Sequence, residues 1–193
     1  MLVALVAAAA PAFAQVTEAP KATLFPDPTK FAYGLYTQGD LGAVAVLGGP
    51  VGSHLGPGVA LGLTAGYDLT RWLALEVRGL GSSHTTNFPG APQDGELMQL
   101  YHLQGALKVS IRHQHLVVSG DGTAGVVRTS TNLLTSVGLN EKRTAPAFGG
   151  GLGVDYHTLS RHFSFGVHAG FQRIPGMAQS NLLTTTACVR YAF

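Results

Sequence analysis

His162 and Ser164 have the residue types of a hydrolytic site, since a serine nucleophile needs an imidazole within hydrogen-bond reach and an acid or amide to orient it. Two positions apart, they share one face of a strand, which makes Ser164 equally readable as a strand hydroxyl, and no catalytic residue is assigned. His113, His115, His157 and His162 are potential metal ligands, but their spacing fits no defined site and they read as solvated turn residues, so neither a metal nor a cofactor is expected. Gly149, Gly150, Gly151 and Gly153 lack the following Lys and strand-to-helix setting of a phosphate loop and read as room for larger neighbours. Cys188 is the only cysteine, so no internal disulfide forms, and it reads as a small packed residue. The remaining chemistry is ionic. The acids Asp40, Glu76, Asp121 and Asp155, the bases Arg78, Lys108 and Arg190, and the polar His102, Gln104, His168 and Gln172 all recur on the polar parity of alternating segments.

Those segments are strands. Between 97 and 112, Tyr101, Leu103, Gly105, Leu107, Val109 and Ile111 occupy one parity while His102, Gln104, Lys108, Ser110 and Arg112 occupy the other, a period of two. The same pattern runs through 59–68, 73–78, 148–156 and 163–172, and segments 35–47, 116–130 and 182–193 bring the number to eight. Connections alternate between short turns, at 68–71, 113–115 and 158–161, and longer loops, at 48–57, 82–96, 131–144 and 174–181. Charged residues are only 11% of the chain, Gly numbers 26 and mean hydropathy is +0.22, apolar for a soluble domain. Yet the long apolar stretch from Leu41 to Leu63 is broken by Gly48, Gly49, Pro50, Pro57 and Gly58, which a spanning helix tolerates poorly. A net charge of +2, with scattered Lys and Arg, argues against nucleic acid as a partner.

Residues 1–14 have the pattern of a signal peptide: an apolar run from Leu2 to Ala10, then Ala12 and Ala14 at the −3 and −1 positions before Gln15, although no Lys or Arg follows Met1. Residues 15–30, with Pro20, Pro26 and Pro28, read as a flexible periplasmic arm, and residues 31–193 as one outer-membrane β-barrel domain. The fold class expected is all-β, an eight-stranded antiparallel up-and-down transmembrane β-barrel. Even strand number and loop asymmetry place both termini and the short turns on the periplasmic side.

The final residues Ala187, Cys188, Val189, Arg190, Tyr191, Ala192 and Phe193 alternate and end on Phe, and Gly66-Tyr67-Asp68-Leu69-Thr70-Arg71-Trp72-Leu73-Ala74-Leu75-Glu76 looks like a membrane hairpin turn. On these residues the chain resembles the small OmpA/OmpX-like outer-membrane barrels over about residues 31–193; its Gly-, Ala- and His-rich texture also resembles the small barrels of the myxobacterial adventurous-gliding apparatus. The resemblance implies outer-membrane lipid and the barrel-assembly machinery as partners, with the C-terminal residues as assembly signal. Tyr67, Tyr156, Tyr191 and Phe193 are expected at the membrane interface, where amphipathic rings sit well, although a soluble barrel of lipocalin type would also carry strand aromatics. Outer-membrane lipid deacylases have a similar His-x-Ser, but with Asn next, where this chain has Phe165. The expected lumen is a cross-barrel polar network rather than a water-filled pore, because eight strands leave room only for side chains. The function expected is a non-catalytic integral outer-membrane protein that presents loops to an envelope protein or surface partner, with the candidate partner loop holding Leu133, Leu134, Val137 and Leu139. A small channel is the alternative, and a lipid-modifying enzyme the third reading.

Overall fold

The computed structural model describes residues 34–48, 52–87, 97–129, 144–158, 162–177 and 180–193. The proposed leader and arm at 1–30, and loop residues 131–143, lie outside them. Eight strands follow in chain order: β1 (Leu35–Leu47), β2 (Gly58–Asp68), β3 (Leu73–Thr85), β4 (Leu97–His113), β5 (Leu116–Thr129), β6 (Thr144–His157), β7 (Phe163–Ile174) and β8 (Ser180–Ala192). Each pairs antiparallel with the next, and β8 closes on β1 from Tyr36↔Ala192 to Leu47↔Asn181, giving a closed barrel with no free edge.

One end of the barrel, the turn end, holds both strand termini and the connections after β2, β4 and β6; the loop end holds the others. At the turn end Thr70 Oγ1 accepts hydrogen bonds from the backbone N–H groups of Trp72 (3.3 Å) and Leu73 (3.1 Å), tightening the β2–β3 hairpin. Outward positions carry large apolar side chains all round, with Ile111 76% and Leu63 74% exposed. A largely apolar exterior of this kind is a surface for hydrocarbon, not water. None of the described residues forms a helix long and apolar enough to cross a membrane, so the strands are what would span it.

Several elements run further than alternation predicts. β3 reaches Thr85 and Thr86 bridges to Leu55, so residues 82–86 of the predicted 82–96 loop belong to the sheet. β6 begins at Thr144 rather than 148, and β8 at Ser180 rather than 182. The cause is an inversion of the rule at the loop end. There Leu80, Ala145 and Ala147 point inward, while Gly79, Gly81, Thr144 and Pro146 take the outward positions. Inward Val44, Val46, Leu55, Ala60, Met98, Leu100, Val127, Ile174, Met177 and Leu182 join them in a buried cluster, so an apolar core fills the lumen near the loops. A second, small cluster of Tyr36, Ala74 and Ala192 lies at the turn end.

Candidate functional site

Below the apolar core the lumen is ionic. The inward positions receive Asp40, Glu76, Arg78, His102, Gln104, Lys108, Asp121, Asp155, His168, Gln172 and Arg190, each from a strand whose alternate residues face outward. Asp68 and Arg112 join them, making five acids and four bases among the described inward residues. Parity had already placed Asp68 and Arg112 on the polar face. Their position beside turns concealed their role, because charges at strand ends are ordinarily solvated.

Contacts link most of the charged groups into one network. Arg78 grips Asp121 with two parallel bonds, Nη1 to Oδ1 and Nη2 to Oδ2, each 3.1 Å, and its Nε donates to Glu76 Oε2 at 2.6 Å. His168 Nε2 lies 2.7 Å from Asp121 Oδ2. Lys108 Nζ sits 3.6 Å from both Glu76 Oε1 and Asp155 Oδ2. Toward the turn end the Tyr36 hydroxyl donates to Glu76, and the Arg190 guanidinium lies over the Tyr36 ring, Cζ 3.4 Å from its centroid. Arg190 also binds Asp68 (2.5 Å), which accepts a second, longer contact from Arg112 (3.4 Å). Above this level the amides of Gln104 and Gln172 bond reciprocally across the lumen, at 2.8 and 2.9 Å. Asp40 accepts from Gln38 Nε2 (2.7 Å) and Thr64 Oγ1 (3.2 Å).

Glycine makes this density possible at two places. A Cβ on Gly66 would meet the Tyr36 ring at 2.2 Å, and one on Gly151 would meet the His168 ring at 2.5 Å. The β6 glycines thus do make room for larger groups. Between these groups lies a cavity of ≈ 60 Å³, lined by Asp40, His102, Lys108, His168 and Cys188 among others. That is room for a few waters, given that each needs roughly 10–15 Å³ by the same measure. His102 borders this cavity with the Gln172 side chain beside its ring. Cys188 Sγ lies 3.6 Å from Asp155 Oδ1, buried as expected of a packed residue.

The rim histidines do not converge. His115 Nδ1–H donates to the His157 carbonyl (3.1 Å), and His162 Nδ1–H to the Ala192 carbonyl (2.6 Å). The His162 ring stacks on outward-facing Tyr191, with centroids 5.7 Å apart, whereas Ser164 is buried in the lumen, so His162 and Ser164 lie on opposite sides of the sheet. Among the described residues no group of three or more His, Cys, Asp or Glu is placed to hold a metal. A different serine–histidine contact exists: Ser82 Oγ and His84 Nε2 are 2.9 Å apart, and His84 Nδ1–H donates to the Gly56 carbonyl at 2.9 Å. Sequence reasoning passed over it by placing 82–96 in a loop; the signal was Ser-x-His with both side chains on one parity. Ser82 and His84 are both buried.

Tyr67, Tyr156, Tyr191 and Phe193 all face outward at the turn end, with Trp72 and Phe163 beside them. Tyr191 packs edge-on against Phe163 and Phe193, with centroids 4.9 and 5.1 Å apart.

No curated protein matches this sequence. Among solved structures the fold is similar to Neisserial surface protein A, at 18% identity with a TM-score of 0.65, covering 85% of this chain and 100% of that one. It is also similar to the outer membrane protein OprG from Pseudomonas aeruginosa, at 12% identity and a TM-score of 0.53, covering 84% and 98%. Both likenesses concern architecture alone. The model of a protein family, the outer membrane protein beta-barrel domain, matches residues 1–185. With that match spanning nearly all of the chain, and a sheet closed on itself with its apolar side outward, the protein belongs to the outer membrane β-barrel family and resides in the outer membrane.

Proposed function

We propose that this barrel is a sealed, non-catalytic scaffold that displays its loops outside the cell to an envelope or surface partner, with the turn end and termini in the periplasm. The observation that carries the reading is the double closure of the lumen. Among the described residues an apolar core spans the loop end and an ion-paired network fills the section beneath it, with a cavity of ≈ 60 Å³ between its side chains. A solute crossing would have to displace Leu100, Met98 and Leu182 and then part the contacts of Arg78 with Asp121 and Glu76. Each of those contacts is an ion pair in a low-dielectric setting, costly to break without a replacement partner.

A scaffold that conducts nothing must act through its surface, and among the loops the segment holding Leu133, Leu134, Val137 and Leu139 has the apolar content of an interaction site. Two measurements test this. The purified barrel in a planar bilayer is expected to give no single-channel steps; steady, reproducible steps would replace the scaffold with a channel. Crosslinking in native membranes is expected to capture a partner that is lost when Leu133, Leu134 and Leu139 are changed together to Ser at unchanged barrel abundance. Retention of the same partner by that variant would remove the loop from the reading.

A further inference from the structure

Charge is sharply segregated in this barrel. All five described acids point into the lumen, and four of the seven described bases, Arg78, Lys108, Arg112 and Arg190, point inward with them. Arg71 lies in a turn-end hairpin. On the outward parity of the eight strands, the described residues carry just two charges, and both are arginines: Arg128 of β5 and Arg173 of β7, each exposed and each at the loop end of its strand.

The registers set these two on either side of β6. Arg128 pairs with Thr144 and Arg173 with Phe148, four residues apart on the strand between them. With rises of about 3.4 Å per residue and strand spacings of about 4.8 Å, the two backbone positions lie roughly 16 Å apart, a gap that two long side chains narrow considerably. Across its other ladder Arg128 pairs with Tyr101, and Arg173 pairs with Phe148, so each arginine has an outward aromatic residue as a cross-strand neighbour. Toward the turn end the same strands present Val126, Ala124 and Val118 on β5 and Phe171, Val167 and Phe165 on β7, all apolar. The arginines therefore sit where the apolar band ends and aromatic rings begin, the level of lipid headgroups.

A guanidinium at that boundary is partly withdrawn from water, and no described carboxylate shares the outer surface with it. Among the described residues neither arginine therefore has an acidic neighbour on its own face. Arginine's planar fork matches phosphate oxygens bidentately, and the adjoining apolar strands suit acyl chains. We propose that Arg128 and Arg173 form a docking site for the phosphorylated headgroup of an anionic lipid in the leaflet at the loop end, a lipid carried beside β6 with its chains along β5–β7. This site is independent of the loop partner proposed above, and either can fail without the other.

The test uses the full barrel in zwitterionic detergent micelles, with diphosphoryl lipid A as the probe and binding followed by native mass spectrometry. Wild type is expected to retain the lipid, R128Q and R173Q each to bind about fivefold more weakly, and the double variant about 25-fold, from the usual attraction per basic residue at an anionic surface. Arg71→Gln, at the opposite end, is expected to bind as wild type does. Heat-dependent gel mobility checks that each variant is folded. On the wild-type protein alone, dephosphorylated lipid A and raised salt are both expected to abolish most of the binding. Equal affinity of wild type and R128Q/R173Q, an equal loss in R71Q, or equal retention of the dephosphorylated lipid would overturn the proposal. Displacement of the lipid by equimolar inorganic phosphate would also overturn it, because a free anion would then be the ligand.

Discussion

Arg78 is the most demanding test of the lumen, because it joins two acids by close hydrogen bonds, where Lys108 spans its two at 3.6 Å. Its guanidinium makes the paired bonds to Asp121, at 3.1 Å each, and the 2.6 Å bond to Glu76, and the side chains of both acids are almost fully buried. Arg78→Leu keeps a comparable volume but leaves Asp121 with only His168, while Glu76 keeps Lys108 and Tyr36. Removing one member of a buried pair costs roughly 3–5 kcal/mol, because the orphaned charge stays out of water. At about 1.4 kcal/mol per decade, that shifts the folding equilibrium by roughly a hundred- to a few thousandfold. Removing both charges is different: in R78L/D121L no acid is left orphaned at that position, so the double variant should recover at least ~1 kcal/mol relative to the single one. Trp72, the only tryptophan, is exposed on the outside at the turn end and reports membrane insertion by its fluorescence. Urea unfolding of the barrel in liposomes, followed through Trp72, measures all three proteins. A loss below ~1 kcal/mol in R78L, or losses in the double variant that simply add, would refute the network as the origin of lumen stability.

Three further outcomes follow from the geometry. Gly66→Ala places a methyl group where the Tyr36 ring lies, so it should cost at least the ~1–3 kcal/mol typical of overpacking, and Tyr36→Leu added to it should restore folding; a G66A barrel as stable as wild type would show that the ring has room to move. Cys188, buried in the lumen, should resist a maleimide reagent in the folded barrel and react fully after boiling; rapid labelling of the folded form would mean that the lumen is open. Deleting Phe193 removes an exposed ring that packs on Tyr191 at the turn-end interface, and should lower folded barrel in cells more than the same deletion at Phe88 does; equal levels would count against a role for the terminal residue.

Strand number, closure and the facing of most side chains were legible because alternation has a period of two and a one-residue slip would exchange the two faces. Lys108 and Gln104 are inward for the same reason that Leu107 and Leu103 are outward. The β6 glycines were legible as room for neighbours, though not for which ones, since Gly151 meets His168 only through the register with β7. Tyr36 is the opposite case. A tyrosine at a strand end suggests the membrane interface, and three other tyrosines face outward at the turn end, yet Tyr36 is wholly buried, held by Glu76 and covered by Arg190. Only the pairing of β1 with both β2 and β8, opposite Gly66 and Ala192, creates the hole that it fills.

The loop end resisted reading for a more general reason. Alternation reports which residues share a face; it does not state which face touches lipid. In the membrane section the apolar face is outside because hydrocarbon is there. Above it, outward residues meet headgroups and water, as Arg128, Thr144 and Arg173 do, while the lumen is still closed and must be filled. An eight-stranded lumen is a packed interior, and a packed interior without a complement of paired charges is filled best by apolar groups. So the sign of the pattern reverses along a single strand: β4 buries Met98 and Leu100 near the loops and Lys108 near the turns, on one continuous parity. A window that seeks polar-inside throughout stops where the reversal begins, which is why β3 and β6 were predicted short. The change is in what fills the lumen, since on β1, β2 and β8 the outward Leu47, Val59 and Leu183 stay apolar beside inward Val46, Ala60 and Leu182.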